Sequence, residues 1–374
     1  MGPHILILGG NGGVGRALSR NILKLTHCDV TIGGRNLHES NRFAKILLGE
    51  YPDKQIKTVY ADATQREDLE SVFSRVDLVI VTTTTPDHMG TIAEAALETD
   101  TDVIDILIRG DVVDKLEAYQ ERIISEQRIF ITQAGFHPGL PAPFIKYAKT
   151  KFDNYISANV AMVMNTLFRK PESTYEIIHE ITEGNAQISK DGKWKKASYK
   201  DGIRVQFSKE FGLRLCYPSQ MREIFPLQKE LDINNMGVYI AGFNYFVDNV
   251  VFPFSVIMNS IKKGAGKKLS AKLMHWGVKR FFKGSPGVEF KLLANGTKNG
   301  QKVNYSLTAY SSDPFDFSSY AIIACLNQYL DHTIHRPGLY LMGHVVDERR
   351  VIEDLKNMGV QIREHNSINA VDTK

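Results

Sequence analysis

The chain has 374 residues, 43% of them hydrophobic and 24% charged, which is ordinary for a globular protein and long enough for two domains; collagen, wholesale disorder and a polytopic membrane protein are excluded. A formal net charge of +4 is too mild to imply nucleic acid as a partner. That charge is uneven: residues 1–135 hold 14 basic and 20 acidic side chains, residues 136–374 hold 32 and 22, so the second part is better suited to an acidic partner.

Taken in chain order, the first 135 residues alternate between two periods. Apolar runs at 4–9, 28–33, 56–60, 77–82, 102–107 and 128–132 read as buried strands of a parallel sheet. Amphipathic segments at 14–26, 37–49, 66–74, 88–98 and 111–126 read as the helices between them, hence an open, doubly wound Rossmann-type sheet. After Gly135 the texture changes. Asp191-Gly192 and Asn299-Gly300 are hairpin turns, with alternating stretches at 288–294 and 301–310 around the second. Helical patterns lie near 142–151, 172–183, 246–262 and 317–331. The expectation is a domain over 1–135 and an α+β domain with an antiparallel sheet over 136–340, while the tail 341–374 returns to strand–helix–strand and packs back on the first. The N-terminus lacks a basic region and its apolar run is too short for a signal peptide. Cys28, Cys216 and Cys325 are far apart, with no zinc spacing, so reduced thiols in a cytoplasmic setting and no metal are expected.

The sharpest motif is Gly10, Asn11, Gly12, Gly13, Val14, Gly15, directly after an apolar strand and before a helical pattern. In such a turn the first glycine makes the bend, the second admits a pyrophosphate to the backbone, and the third lets helix and strand pack closely. The helix start then offers free N–H groups and a positive dipole end. A P-loop fits badly, because Arg16-Ala17 follows where lysine and a hydroxyl residue belong. The second strand ends Gly33-Gly34-Arg35-Asn36 with no carboxylate at its tip, so Arg35 is assigned to a 2′-phosphate and the cofactor is read as NADP. At two further strand ends, Asp62 with Ala63 would meet the adenine, and Thr83, Thr84, Thr85 and Pro86 would line the nicotinamide ribose; helix capping is the plainer alternative at both.

These residues resemble the saccharopine dehydrogenase-like family, of the saccharopine reductase and carboxynorspermidine dehydrogenase type. The likeness rests on Gly9–Gly15, Gly34-Arg35-Asn36, Asp62-Ala63, the run 76–86, Val103-Ile-Asp105, Ala134-Gly-Phe-His-Pro-Gly-Leu140, Asp313 with Tyr320, and Pro337-Gly338-Leu339. It departs at His137, where the family's turn has aspartate, and at Asp100-Thr101-Asp102, where a glycine is usual. The resemblance implies NADP-dependent oxidoreduction at a CH–NH bond of an amino-acid- or polyamine-derived small molecule, and a homodimer. The alternatives are reduction of a C=C or C=O bond in a lipid-related or isoprenoid substrate, and a non-catalytic NADP sensor.

For proton transfer the first candidate is His137, whose ordinary pKa suits neutral pH, and the second is Asp105 at a strand's carboxyl end. Arg109, Arg204, Arg214 and Arg222 are candidates for substrate carboxylates, Arg109 best placed beside Asp105 and Arg222 next. Tyr147 and Lys151 match the YxxxK spacing of short-chain dehydrogenases, but the accompanying serine and Asn-Asn-Ala-Gly-like run are missing. Eight basic residues between Lys262 and Lys283, with Trp276, Phe281 and Phe282 among them, read as a solvated helical face; an acidic substrate or an anionic membrane surface is the alternative.

Overall fold

The computed structural model describes residues 3–168 and 170–369. The six N-terminal apolar runs form β1 (His4–Leu8), β2 (Asp29–Gly34), β3 (Ile56–Tyr60), β4 (Leu78–Val81), β5 (Asp102–Asp105) and β6 (Ile129–Thr132). They pair in the order β6-β5-β4-β1-β2-β3, all parallel, and a seventh strand, Gly338–Leu341, adds in parallel beside β6. Helices cover a parallel sheet on both faces, so its inner strands carry no polar side, whereas the edge strand β3 leaves Lys57 and Tyr60 exposed. Leu6, Leu8, Val79, Val81, Val103 and Phe130 are accordingly buried in one cluster, each contributing roughly 1.5–3 kcal/mol by leaving water. The connecting helices are α1 (Gly13–Leu25), α2 (Leu37–Glu50), α3 (Arg66–Phe73), α4 (Met89–Glu98), α5 (Asp111–Glu117) and α6 (Gln120–Ser125). The last two replace the single helix expected over 111–126.

The second sheet uses β7 (Asn154–Asn165), β8 (Gln187–Lys190), β9 (Lys193–Lys196), β10 (Ile203–Gln206), β11 (Leu213–Ser219), β12 (Asn235–Ala241), β13 (Gly287–Lys298), β14 (Gln301–Ser311) and, after β15 at Gly338–Leu341, β16 (Gln361–Asn369). Its order is β10-β11-β12-β7-β13-β14-β16, with β8 and β9 branching from β12. It is mixed rather than purely antiparallel: β7 and β12 run parallel, because a long crossover separates them in the chain. Both hairpin turns form as expected, with Asp191, Gly192, Asn299 and Gly300 all in the left-handed region. The remaining helices are α7 (Pro141–Ala148), α8 (Pro171–Glu183), α9 (Phe225–Glu230), α10 (Phe252–Ile261), α11 (Lys267–Arg280), α12 (Pro314–Leu330), α13 (Met342–Val345) and α14 (Glu348–Asn357). The expected helix over 246–262 starts as a π-helical turn, Val247–Val251, with Pro253 just inside α10; a proline removes the N–H that an unbroken α-helix would use there.

By internal contacts the chain divides into one unit of Met1–Leu140 with Ser318–Asp347 and a second of Pro141–Phe317 with Glu348–Lys374. The returning segment therefore differs from the expected 341–374: β15 joins the first sheet, and β16 pairs with β14 in the second. No helix among the described residues is long and apolar enough to cross a membrane.

Candidate active site

The carboxyl edge of the first sheet carries the loops expected to bind a ligand. The turn after β1 is closed by backbone bonds from Gly9 and Gly10 N–H to Gly33 O and from Gly12 N–H to Gly9 O. A Cβ on Gly15 would lie 2.4 Å from Gly9 O and 2.7 Å from Gly10 Cα, so only glycine lets α1 pack on β1. A Cβ on Gly12 would meet only Gly9 O, at 3.3 Å; the space above this residue is otherwise open. No side chain caps α1 and no acidic residue stands in its first turn. Open space over uncapped helix N–H groups is the cradle a pyrophosphate requires, and the residues fit a dinucleotide.

The end of β2 is tied to this turn. Asn11 Nδ2 donates to Ser40 Oγ at 2.7 Å and to Asn36 O at 3.3 Å, while Asn36 caps α2 by accepting from Glu39 N–H. Arg16 points at the same region but is occupied: it donates to Asn11 O, pairs with Glu39 at 2.9 Å and stacks on Phe43. Arg35 is exposed and has no hydrogen bond or ion pair among the described residues, which leaves its fork available. Asp62 accepts from Thr64 N–H; that bond, with lesser help from the nearby Arg35 charge, holds its carboxyl below the usual range. Ala63 is buried in the apolar cluster. Thr83 and Thr85 join hydroxyls beside Gly9, where an added Cβ would strike Thr83 at 2.7 Å, and Pro86 opens the short helical turn that follows Thr84 and Thr85.

At the ends of β5 and β6 the structure collects polar atoms around the candidates Asp105 and His137, two of them from residues that sequence reasoning did not single out. Asp105 Oδ2, Thr132 Oγ1, Gln133 Oε1 and His137 Nε2 are all buried without a hydrogen-bond partner. Buried polar groups are nearly always paired, so four unpaired ones on one short stretch of the strand edge call for a ligand or water. Thr132 and Gln133 carry no sequence signal beyond their place at a strand end. Gln133 also adopts a left-handed backbone, uncommon for a residue with a side chain. The turn that follows is compact: Gly135 N–H donates to Pro138 O, and a Cβ on Gly139, at φ +124, would lie 2.2 Å from Gly135 O.

The two proton-transfer candidates differ from their expected states. Asp105 does not stand at an open tip: it is fully buried, its Oδ1 accepts from Leu107 and Gln133 N–H at 2.9 and 3.3 Å, and no hydrogen bond joins it to His137. Burial pushes its carboxyl up to about 6, opposed in part by the Thr132 hydroxyl, which lies close without reaching hydrogen-bond geometry. His137 keeps some surface in contact with solvent, but its Nε2 does not, and burial lowers the imidazole to about 4. It is therefore neutral at pH 7 rather than partly protonated. Arg109 is the clearest correction. It is buried, and its fork is filled by Asp111 and by Asp87 at 2.9 Å, with Lys115 joining both carboxylates. Burial alone would lower its pKa, but Asp111 and Asp87 raise it; burial opposes the ionised Asp111, yet Arg109 and Lys115 hold that carboxyl at about 2. The network anchors the loop after β4, since Lys115 also donates to Pro86 O. Arg222 and Arg214 lie in the second unit, half-buried, and Arg204 is exposed there.

Tyr147 and Lys151 share a face of the second unit, but both are turned to Glu364, Tyr147 donating at 3.1 Å and Lys151 at 3.0 Å. Burial and that carboxylate raise the Tyr147 pKa, the opposite of an activated tyrosine. Among the described residues no group of three or more His, Cys, Asp or Glu side chains could hold a metal.

Fold and loop geometry define a class, a dinucleotide-binding protein with a Rossmann unit and a second α/β unit. The comparisons agree. Residues 5–133, about a third of the chain, match the saccharopine dehydrogenase NADP binding domain, which makes the first unit a domain of that type and NADP its cofactor. Saccharopine dehydrogenase (L-Glu forming) from Saccharomyces cerevisiae has the same fold, with a TM-score of 0.69 and 14% identity over 98% of this chain and 100% of that one. A myo-inositol dehydrogenase from Corynebacterium glutamicum is more distant, with a TM-score of 0.47 and 10% identity over 97% and 99% of the two chains. A short-chain dehydrogenase/reductase from Veillonella parvula in complex with NADP has 20% identity over 32% of this chain and 56% of that one, at a TM-score of 0.26. No curated protein sequence matches the chain.

Proposed function

We propose that the protein is an NADP-dependent oxidoreductase acting on the CH–NH bond of an amino-acid- or polyamine-derived small molecule. The observation that carries this reading is the set of unpaired buried atoms at Asp105, Thr132, Gln133 and His137, next in the sheet to the loop Thr82–Pro86. Gln133 Oε1 and an ionised Asp105 Oδ2 only accept hydrogen bonds, and Thr132 and neutral His137 accept or donate. An acceptor-rich set suits a group that bears N–H, such as the nitrogen of a secondary amine or imine.

When bound, NADP(H) supplies or takes the hydride; the protein orients, excludes water and handles the proton. Reduction of C=N adds that hydride to carbon and one proton to nitrogen. With its pKa near 4, His137 serves as a neutral hydrogen-bonding group rather than as an imidazolium acid. Asp105, near 6, is close enough to neutrality to exchange a proton at working pH. Gly12, Gly13 and Val14 hold the pyrophosphate, Arg35 the 2′-phosphate, Asp62 the adenine side, and Thr83–Pro86 the nicotinamide ribose. The test is NADPH oxidation with paired amines and 2-oxo acids or aldehydes. Turnover should require both members of a pair, and His137→Ala should lower kcat/KM by roughly 10–100-fold with NADPH affinity unchanged. Oxidation of NADPH by a carbonyl or enone alone, with no dependence on amine, would overturn the CH–NH assignment.

A further inference from the structure

The helical layer of the second unit is partly inverted. In α10 the buried residue is Ser255, and Asn259 reaches inward to donate to Thr182 O at 3.0 Å. The exposed positions Pro253, Val256, Ile257 and Ile261 of α10 follow helical spacing, so they form one largely apolar face with Ser260 among them; Ile257 is 59% and Ile261 74% exposed. On α11, which packs against α10, the exposed residues Lys268, Leu269, Lys272, Trp276 and Lys279 recur every three or four positions. Trp276 is 52% exposed and meets Phe246 and Phe281 edge-on. From residue 249 to 288 the chain has eight basic side chains and no carboxylate. Of these, Lys268, Lys272 and Lys279 have no ion pair among the described residues.

A largely apolar exposed face flanked by unpaired cations is not a solvated face. A second copy of the chain is a poor occupant, because a two-fold contact would bring the same cations face to face. An anionic bilayer satisfies both features. A ten-residue helix spans about 15 Å, too short to cross but suited to lie in the headgroup region. We propose that the face formed by α10 and α11 docks the protein on an anionic lipid surface. Ile257, Ile261 and Trp276 enter the headgroup–acyl boundary, and Lys268, Lys272 and Lys279 meet the lipid phosphates.

The full chain, carrying Trp194→Phe so that Trp276 alone reports, is floated with vesicles of phosphatidylcholine or of phosphatidylcholine with about one-third phosphatidylserine. It should float with the mixed vesicles only, with Trp276 emission shifting to the blue. Lys268→Ala with Lys272→Ala and Lys279→Ala should weaken binding about 100-fold, at about fivefold per cation. Ile257→Ser with Ile261→Ser should remove the blue shift. Lys193→Ala with Lys195→Ala and Lys196→Ala on β9 should leave binding unchanged, and NADPH titration shows that each variant is folded. Absence of flotation overturns the proposal, as does equal loss in the β9 variant, which would mean general basicity. So does a dimer that dissociates on Ile257→Ser, or tighter binding to an acidic protein or a nucleic acid than to the vesicles.

Discussion

Alanine at Gly12 and at Gly15 should separate the two jobs of the nucleotide loop. At Gly15 the new methyl lies 2.4 Å from Gly9 O and 2.7 Å from Gly10 Cα, both backbone atoms, so α1 must move away from β1. Overpacking of this kind costs about 1–3 kcal/mol. At roughly 2–4 °C per kcal/mol, that lowers the melting temperature by about 2–12 °C. At Gly12 the backbone is in an ordinary extended conformation, φ −70 and ψ 175, and the methyl meets only Gly9 O at 3.3 Å. Folding should therefore change by no more than about 0.5 kcal/mol. The methyl does fill the space over the uncapped start of α1. Losing one charge-assisted hydrogen bond there, worth about 1.5–3 kcal/mol, weakens NADPH roughly 10–100-fold. The assays are thermal unfolding without nucleotide and fluorescence titration with NADPH. Gly12→Ala that binds NADPH like the wild type would refute the assignment of this loop to the phosphates. Gly15→Ala with unchanged melting would refute the packing argument.

Arg35→Ala should weaken NADPH by roughly 10–100-fold and leave NADH unaffected, because Arg16 is held by Glu39 and cannot replace it; equal loss for both nucleotides would exclude a 2′-phosphate contact. Asp105 has a folded pKa near 6, above its unfolded value, so its contribution is lost as pH rises through that range. Asp105→Asn should match the wild type near pH 4 and exceed it by up to about 3 kcal/mol above pH 7 in denaturant unfolding, and a difference independent of pH would disprove the buried titration. His137 runs the other way: with a folded pKa near 4, below its unfolded value, its contribution is complete above pH 6.5 and lost on acidification. Wild type should therefore lose on the order of 3 kcal/mol more than His137→Gln between pH 7 and pH 4, and parallel acid curves would count against it.

Much of the first unit was legible because its determinants are local. A strand buried on both faces must be apolar along its whole length, so the runs identify the inner strands, and even the half-exposed edge strand β3, to within two residues at either end. A turn that admits phosphate to the backbone needs glycine at particular positions, so Gly10, Gly12 and Gly15 speak for themselves. The Asn299-Gly300 hairpin is local in the same way. Burial and pairing between distant residues are not written in any short stretch, and these the tertiary structure decided. Arg109 reads as a free cation until burial, its neighbour Asp111 and Asp87 on another loop occupy its fork. Tyr147 and Lys151 have the spacing of a catalytic pair without its companions, but nothing near them in the chain shows that Glu364, more than two hundred residues onward, takes both. Asp105 and His137 have ordinary sequence neighbours, and only dense packing by other strands and turns moves their protons in opposite directions. The outward apolar face of α10 is of the same kind: periodicity reveals an apolar helix, but which side meets water depends on where α8 and α11 pack.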